Sequence, residues 1–283
     1  MQSDALGRYA MIYITGDCHG DFRRFNKRNF PEQKKMTKDD YVIVCGDFGY
    51  WTPSKEQDYE FDELAKRNFT TLFIDGNHEY HRTNKYLSAK SACKYRRGLY
   101  DLPEKEWKGG MIHELNDSVF HLMRGYVFDI GGYSFFTFGG ASSHDIQDGV
   151  YDPYDFGGPT SRHWKEKYNE MRAFGYLFRV DGFSWWKEEM PTEEEMERGR
   201  ESLNRRQNKV DFILSHEGPE EAVKLYGIQH RGYWDWGSDP LRKYLQEIDD
   251  KTSYRKWFFG HHHDNVNIDP KHLLIYEQIV RIG

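Results

Sequence analysis

The chain has 283 residues, 37% of them hydrophobic and 17% aromatic, with a formal net charge of −6. That length supports one large domain or two small ones, and enough apolar material is present to fill a core. No stretch approaches the roughly 18 consecutive apolar residues of a membrane span. The acidic balance, without a basic block, gives no electrostatic footprint for nucleic acid or an anionic membrane. The opening residues lack the basic-then-apolar order of a secretory signal. The three cysteines, Cys18, Cys45 and Cys93, form no disulfide framework. Together these features lead us to expect a reduced, cytoplasmic protein.

The first third repeats one cadence. An apolar run over 11–15 ends in Gly16-Asp17-Cys18-His19 and precedes a helix expected over 21–30. A second run over 41–45 ends in Gly46-Asp47, with a helix expected over 54–67. A third over 71–75 ends in Gly76-Asn77-His78-Glu79, and polar helical sequence follows it. Continuous β-branched and aromatic runs alternating with helical segments indicate βα units and a sheet buried on both faces. From 118 to 138 three strand-like runs are separated by Arg124-Gly125 and Gly131-Gly132, which predicts an antiparallel meander opening a second sheet.

Residues 141–190 carry the breakers Asp148-Gly149, Asp152-Pro153 and Gly157-Gly158-Pro159 together with Trp164, Trp185 and Trp186. Two readings apply: an elaborated surface loop with one short helix over 161–174, or a lid that faces substrate. Thr192-Glu193-Glu194-Glu195 fits a capping box for a helix reaching about 206. Runs at 210–214 and 256–259 then lead to Ser215-His216 and Gly260-His261-His262-His263, and 273–276 reads as the final strand. With no repeat and no linker, a single domain over 1–283 with an insertion at about 141–190 is expected.

Each Asp/Asn/His word follows a strand, and strand ends of an open α/β sheet are where ligands bind. In an extended strand residues i and i+2 share a face, so Asp17 and His19 can grip one ion with Cys18 turned away. His261 and His263 stand in the same relation, with His262 pointing elsewhere. Asp47 has two oxygens and can bridge two ions about 3.5–4 Å apart, while Asn77 offers a neutral oxygen. Any one word alone is weak. Five in this order at strand ends point to a two-metal hydrolytic site.

The ordered set D-x-H, G-D, G-N-H-E, an isolated His and G-H-x-H resembles the calcineurin-like metallophosphoesterase superfamily. That resemblance spans residues 16 to 263, nearly the whole chain. It implies an α/β four-layer αββα sandwich, two mixed β-sheets flanked by helices, with the metal site at strand C-terminal ends. It implies Asp17, His19 and His263 on a first metal, Asn77, His216 and His261 on a second, and Asp47 bridging them. It further implies a catalytic, unligated His78. The expected activity is metal-dependent hydrolysis of a phosphomonoester or phosphodiester by a metal-bridging hydroxide. Two divalent cations are expected, manganese first, with iron, zinc or nickel also suited to such ligands.

Phosphoprotein phosphatases of this superfamily extend the second word to G-D-x-x-D-R-G. Here Tyr50 and Trp51 replace the acid and the phosphate-clamping arginine, which argues against that branch. A nuclease of the same superfamily and a non-catalytic binding scaffold complete the range of functions the sequence allows. The weaker substrate-contact candidates are Asn77, His144 and Arg124, with His144 otherwise a surface-loop histidine and Arg124 otherwise a turn arginine. Glu79 is expected either to orient His78 or to stand at a helix N-terminus. Tyr50 and Trp51 are expected either to stack on a base or sugar or to pack beneath the first helix. The expected partner is a small phosphoester, nucleotide-derived ones included, with no membrane and an open oligomeric state.

Overall fold

The computed structural model describes residues 10–84, 92–158, 161–232 and 239–282. The chain opens with β1 Ile12–Thr15, β2 Tyr41–Cys45, helix α1 Lys55–Ala65 and β3 Thr70–Ile74. A hairpin of β4 Glu104–Trp107 and β5 Gly110–Asn116 follows, then β6 Val119–Leu122, β7 Tyr126–Ile130 and β8 Tyr133–Phe138. The short β9 Val150–Tyr151, helix α2 Arg162–Ala173 and the short β10 Arg179–Val180 lead to α3 Glu193–Arg205. Next come β11 Phe212–Ser215, α4 Glu220–Tyr226, α5 Pro240–Lys251 and β12 Lys256–Phe259. The chain closes with β13 Val266–Asn267, β14 His272–Leu274 and β15 Val280–Ile282.

Two mixed sheets result, with strand orders β15-β1-β2-β3-β6-β5-β4 and β13-β14-β12-β11-β8-β7. Strands β1, β2, β3 and β6 run parallel in the first sheet. Strands β8, β11, β12 and β14 run parallel in the second, and antiparallel strands close the edges. Alternation along each strand builds the layers. Ile12, Ile14, Ile43, Leu72 and Ile74 meet Phe135, Leu214 and Phe258 of the other sheet in the innermost core. The outward Tyr13, Val42, Val44 and Phe73 pack with Phe61 and Leu64 of α1. On the far side Phe136, Ile213, Trp257 and Phe259 pack with residues of α3, α4 and α5. This is the expected four-layer arrangement of two mixed sheets between helices.

Several expectations need correction. The helix expected over 21–30 is instead two 3-10 turns, Arg23–Phe25 and Pro31–Lys35. Asn26 stops it, because its side chain accepts from the Arg28 and Asn29 backbone N–H groups and competes with helical pairing. The meander over 118–138 is not one: β6 pairs with β3 and β5 in the first sheet, while β7 and β8 begin the second. Arg124-Gly125 is therefore a crossing between sheets. The β4–β5 hairpin was not expected, since Lys108-Gly109 is a weak turn signal; both residues have positive φ, 47° and 93°. The run at 273–276 is not the last strand, because β15 returns antiparallel to β1. Part of the helical sequence expected after Glu79 falls on residues outside those described.

The expected helices at 54–67, 161–174 and 192–206 are present as α1, α2 and α3, and Thr192 and Glu195 form the capping box. Within 141–190, β9 and β10 pair in parallel, and Phe156, Phe178 and Val180 gather Tyr151, Trp164 and Tyr168 into a small core. Among the described residues no helix is long and apolar enough to cross a membrane.

Beneath the end of β3 lies a buried polar network. Asp75 accepts from Arg124 Nε at 3.0 Å and from Arg124 Nη2, and contacts Tyr100 and His121 at 3.2 Å each. Burial opposes its ionisation, but Arg124 and His121 hold the carboxyl well below the usual range. Arg124 is 1% exposed and also donates to the Glu188 carbonyl. Its expected role as a phosphate contact is therefore corrected: the guanidinium is consumed inside the protein. Arg124→Met should lower stability by about 3–5 kcal/mol, because it leaves a buried carboxylate unpaired. Urea unfolding checks this, and weakened substrate binding without a stability loss would return Arg124 to the site.

Candidate metal centre

Parallel pairing brings the C-terminal ends of β1, β2, β3, β11 and β12 to one edge, and every ligand candidate lies just past such an end. Asp17, His19, Asp47 and His263 each offer one ligand atom within 4.8 Å of the others. Within this group His19 Nε2 and His263 Nε2 are 2.9 Å apart, and His263 Nε2 is 3.2 Å from Asp17 Oδ2. A second group adjoins it. His216 Nε2 is 3.3 Å from Asn77 Oδ1 and 3.3 Å from Asp47 Oδ1, and the His216 and His261 rings are centred 5.0 Å apart. Asp47 belongs to both groups, since its Oδ2 lies 3.7 Å from His19 Nε2.

The convergence is not produced by strand alternation, and that expectation is corrected. His19, Asp47, His261 and His263 have φ of 46°, 43°, 68° and 49°. A left-handed residue costs roughly 1–2 kcal/mol and redirects the side chain relative to an extended strand. It splits the D-x-H and H-x-H words differently. Asp17 and His19 stay together, whereas His261 turns to His216 and His263 turns to Asp17. The turns are held by backbone bonds: Cys18 and His19 N–H both donate to the Asp47 carbonyl, at 2.9 and 2.8 Å. Two glycines permit the approach. A Cβ on Gly76 would lie 2.0 Å from Asp47 Oδ1, and one on Gly46 would lie 2.1 Å from His216 Nδ1.

The donor chemistry fits divalent cations. His216 Nδ1 is 2.9 Å from the Cys45 carbonyl, which can only accept, so the proton sits on Nδ1 and Nε2 faces Asp47 and Asn77. His261 Nε2 is buried with no hydrogen-bond partner, although its backbone N–H donates to Asp17 Oδ1 at 3.1 Å. A buried imidazole nitrogen without a partner is costly unless something is bound there. Burial pushes the pKa values of His19 and His261 down, which keeps both rings neutral and their lone pairs available. His216 is opposite: burial opposes its charge, but Asp47 and Asp17 push it up to about 10. A cation at Nε2 would replace that proton and offset the same carboxylates.

The sequence profile of calcineurin-like phosphoesterases matches residues 10–265. The chain belongs to this family. It is a phosphoester hydrolase. No curated protein matches the chain. Among solved structures it is similar to the phosphopantetheinyl hydrolase PptH of Mycobacterium tuberculosis. That likeness is at 16% identity, covers 96% of this chain and 89% of that one, and has a TM-score of 0.36.

Other expected residues of this phosphoesterase divide. His78 is at the centre, its ring 5.5 Å from that of His19 and its N–H donating to Asp47 Oδ1. His144 also reaches the edge of the site, with its ring 4.4 Å from that of His261. His262 points away as expected, 2.9 Å from Glu217 Oε1. Glu79 neither orients His78 nor starts a helix: its carboxyl accepts from the Phe48 and Tyr50 N–H groups, both at 2.7 Å. Tyr50 is fully buried against Phe61, whereas Trp51 is 46% exposed.

Three more residues contribute: Glu189 and Arg179, which were not foreseen, and Ser143, in the run after β8 that also carries the expected His144. Asn77 Nδ2 donates to Ser143 Oγ at 3.2 Å, and Ser143 N–H and Oγ are held by Glu189 at 2.9 and 2.7 Å. Arg179 Nη2 lies 3.3 Å from His78 Nδ1. All three come from the 141–190 segment, where the only signal was its position between strands.

Glu189 gives a testable pH dependence. Burial raises its pKa from 4.5 to about 7 despite the Ser143 bonds. The folded carboxyl therefore holds a proton that the unfolded one releases, so its contribution is full below 4.5 and falls as pH rises to about 7. Glu189→Gln should remove a stability loss of up to about 3 kcal/mol across that window, read from urea unfolding at several pH values. Equal slopes in the two proteins would refute the assignment.

Proposed function

We propose that this phosphoesterase hydrolyses a small phosphomonoester or phosphodiester at a centre of two divalent cations, with manganese the first choice for imidazole and oxygen donors. The observation that carries the reading is the division of the Asp47 carboxylate. Its Oδ2 faces the Asp17, His19 and His263 group, and its Oδ1 faces the Asn77, His216 and His261 group. Asp17, His19 and His263 would hold one cation, Asn77, His216 and His261 the other, and Asp47 would bridge. Cations bound there supply hydroxide near neutral pH and offset the charge that develops on the transferring phosphoryl group.

The protein's own residues do the rest. A guanidinium can only donate, so Arg179 makes His78 Nδ1 the acceptor, and a neutral His78 carries its proton on Nε2. Nε2 then protonates the leaving oxygen, worth roughly 10²–10⁴-fold. Asn77 is oriented from behind through Ser143 and Glu189. Folding as one domain and a cytoplasmic location belong to the same proposal. The location is supported by Cys18 and Cys45, buried free thiols, the first beside Asp17 and the second at the end of β2 just before Asp47.

Purified protein with added manganese should hydrolyse p-nitrophenyl phosphate, its bis-ester, or both. Asp47→Asn should cut turnover at least about 100-fold and lower the metal content per chain. Unchanged turnover in that variant would sink the bridging role. His78→Ala should keep its metal and lose roughly 10²–10⁴-fold in kcat, checked by pairing kinetics with metal analysis.

A further inference from the structure

We infer that Arg179, carried by the 141–190 insertion, binds a substrate phosphate oxygen, and that the cavity beside it takes a flat aromatic leaving group. This rests on the phosphoesterase site just described and names its substrate class: a phosphoester of an aryl- or nucleoside-sized alcohol.

The first observation is the guanidinium. Its Nε donates to both Asp145 oxygens, at 2.8 and 2.9 Å, and its Nη1 donates to the Ser184 carbonyl at 3.1 Å. Nη2 meets His78 Nδ1. Arginine has five N–H groups, so one on Nη1 and one on Nη2 remain to be used. The side chain is 16% exposed and is fixed by Asp145, so little freedom is lost when a phosphate oxygen arrives. It also compensates for a specific loss. The position where related phosphoprotein phosphatases carry a clamping arginine is Trp51 here. A guanidinium is supplied instead from an element remote in sequence, against His78.

The second observation is the cavity. A space of about 290 Å³ opens between the loop after β3 and the insertion. Asn77, His78 and Arg179 are among the residues that line it. Its apolar wall is Trp51, Tyr80, Phe183 and Trp186. Tyr80 and Trp186 are buried and meet edge to face at 5.5 Å, which makes a firm wall. Trp51 is the odd member: 46% of a large aromatic surface is left in solvent beside the reacting centre. Core packing does not account for that exposure, whereas stacking on a ring does. The volume lies at the small end of ligand pockets, roughly 300–1,000 Å³, and suits one or two rings rather than a polypeptide or duplex.

Binding of phosphonates, whose C–P bond resists hydrolysis, tests this separately from turnover. Manganese-loaded protein is titrated calorimetrically with phenylphosphonate and methylphosphonate. The wild type should bind the phenyl compound at least about tenfold more tightly, as burial of a ring requires. Arg179→Ala should weaken both ligands by about 10–100-fold, the worth of a hydrogen bond to a charged group. Arg179→Lys should recover only part of this, since an ammonium cannot present two fixed donors. Trp51→Ala should erase the phenyl preference and leave methylphosphonate binding as it was. Melting temperature and metal content, read alongside, establish that each variant is folded and loaded. Unchanged binding in folded Arg179→Ala and Arg179→Lys, or no phenyl preference in the wild type, would overturn the inference. If both ligands bind as expected and no ester is hydrolysed, this subsite stands and the proposed reaction fails. If esters are hydrolysed and Arg179→Ala binds normally, the reverse holds.

Discussion

One carboxylate organises the site. Asp47 is 1% exposed and sits where three loops and both sheets converge. Its carbonyl accepts from the loop after β1, its Oδ1 accepts from His78 after β3, and His216 approaches from the second sheet. Burial alone would push its pKa up, yet His216, His78 and His19 hold it well below the usual range. A buried charge is tolerated only when its surroundings answer it from several sides. The neighbouring groups are therefore fixed in number and direction by Asp47, as much as Asp47 is fixed by them.

The two sheets are tied at that same edge. His216 Nδ1 donates to the Cys45 carbonyl, and Gly16 N–H donates to the Tyr276 carbonyl at 2.9 Å, so each sheet end grips the other. Between them the core of Ile12, Ile14, Ile43, Leu72, Phe135 and Leu214 excludes water directly under the ligands. Parallel strands within each sheet are what make the geometry available, because only they deliver consecutive C-terminal ends to one side. The polar network of Asp75 and Arg124 plays a comparable part below β3. It fixes the strand end from which Asn77 and His78 depart, and it does so without reaching the reacting centre.

Much of this was legible in the sequence, for physical reasons. Strands buried on both faces write themselves as unbroken apolar runs, so β1, β2, β3, β11 and β12 stood out, and the ligand words stood at their ends. What failed was local chemistry decided by tertiary contact. Asn26 halts a helix by its own side chain, and Lys108-Gly109 turns a hairpin that few residue pairs would announce. The change of sheet between β6 and β7 looks like a simple turn because pairing partners are remote in sequence. The left-handed histidines were not visible either, since a positive φ is uncommon outside glycine even for Asp and His, in which it is enriched. Glu189 and Arg179 could not be singled out, because each acquires meaning only from Asn77 or His78 far away in the chain.

The ligand backbones also explain a division of labour in the molecule. Four non-glycine residues in left-handed conformations cost several kcal/mol together, a large part of an ordinary domain's stability of about 5–15 kcal/mol. The inter-sheet core is large enough to offset that, each buried aliphatic or aromatic side chain contributing roughly 1.5–3 kcal/mol. Among the described residues of 141–190 no non-glycine residue carries that burden. The small core of Phe156, Phe178 and Val180 in that segment stands apart from the strained turns, and the segment meets the site through Ser143, His144, Arg179 and Glu189 and through the cavity wall of Phe183 and Trp186. Changes in its aromatic wall can therefore alter what fits beside His78 without relaxing the backbone that aims Asp17, Asp47 and the histidines. On the proposed reading, chemistry is vested in the rigid sheet edges, and selectivity in Trp51 together with a segment that can vary without disturbing them.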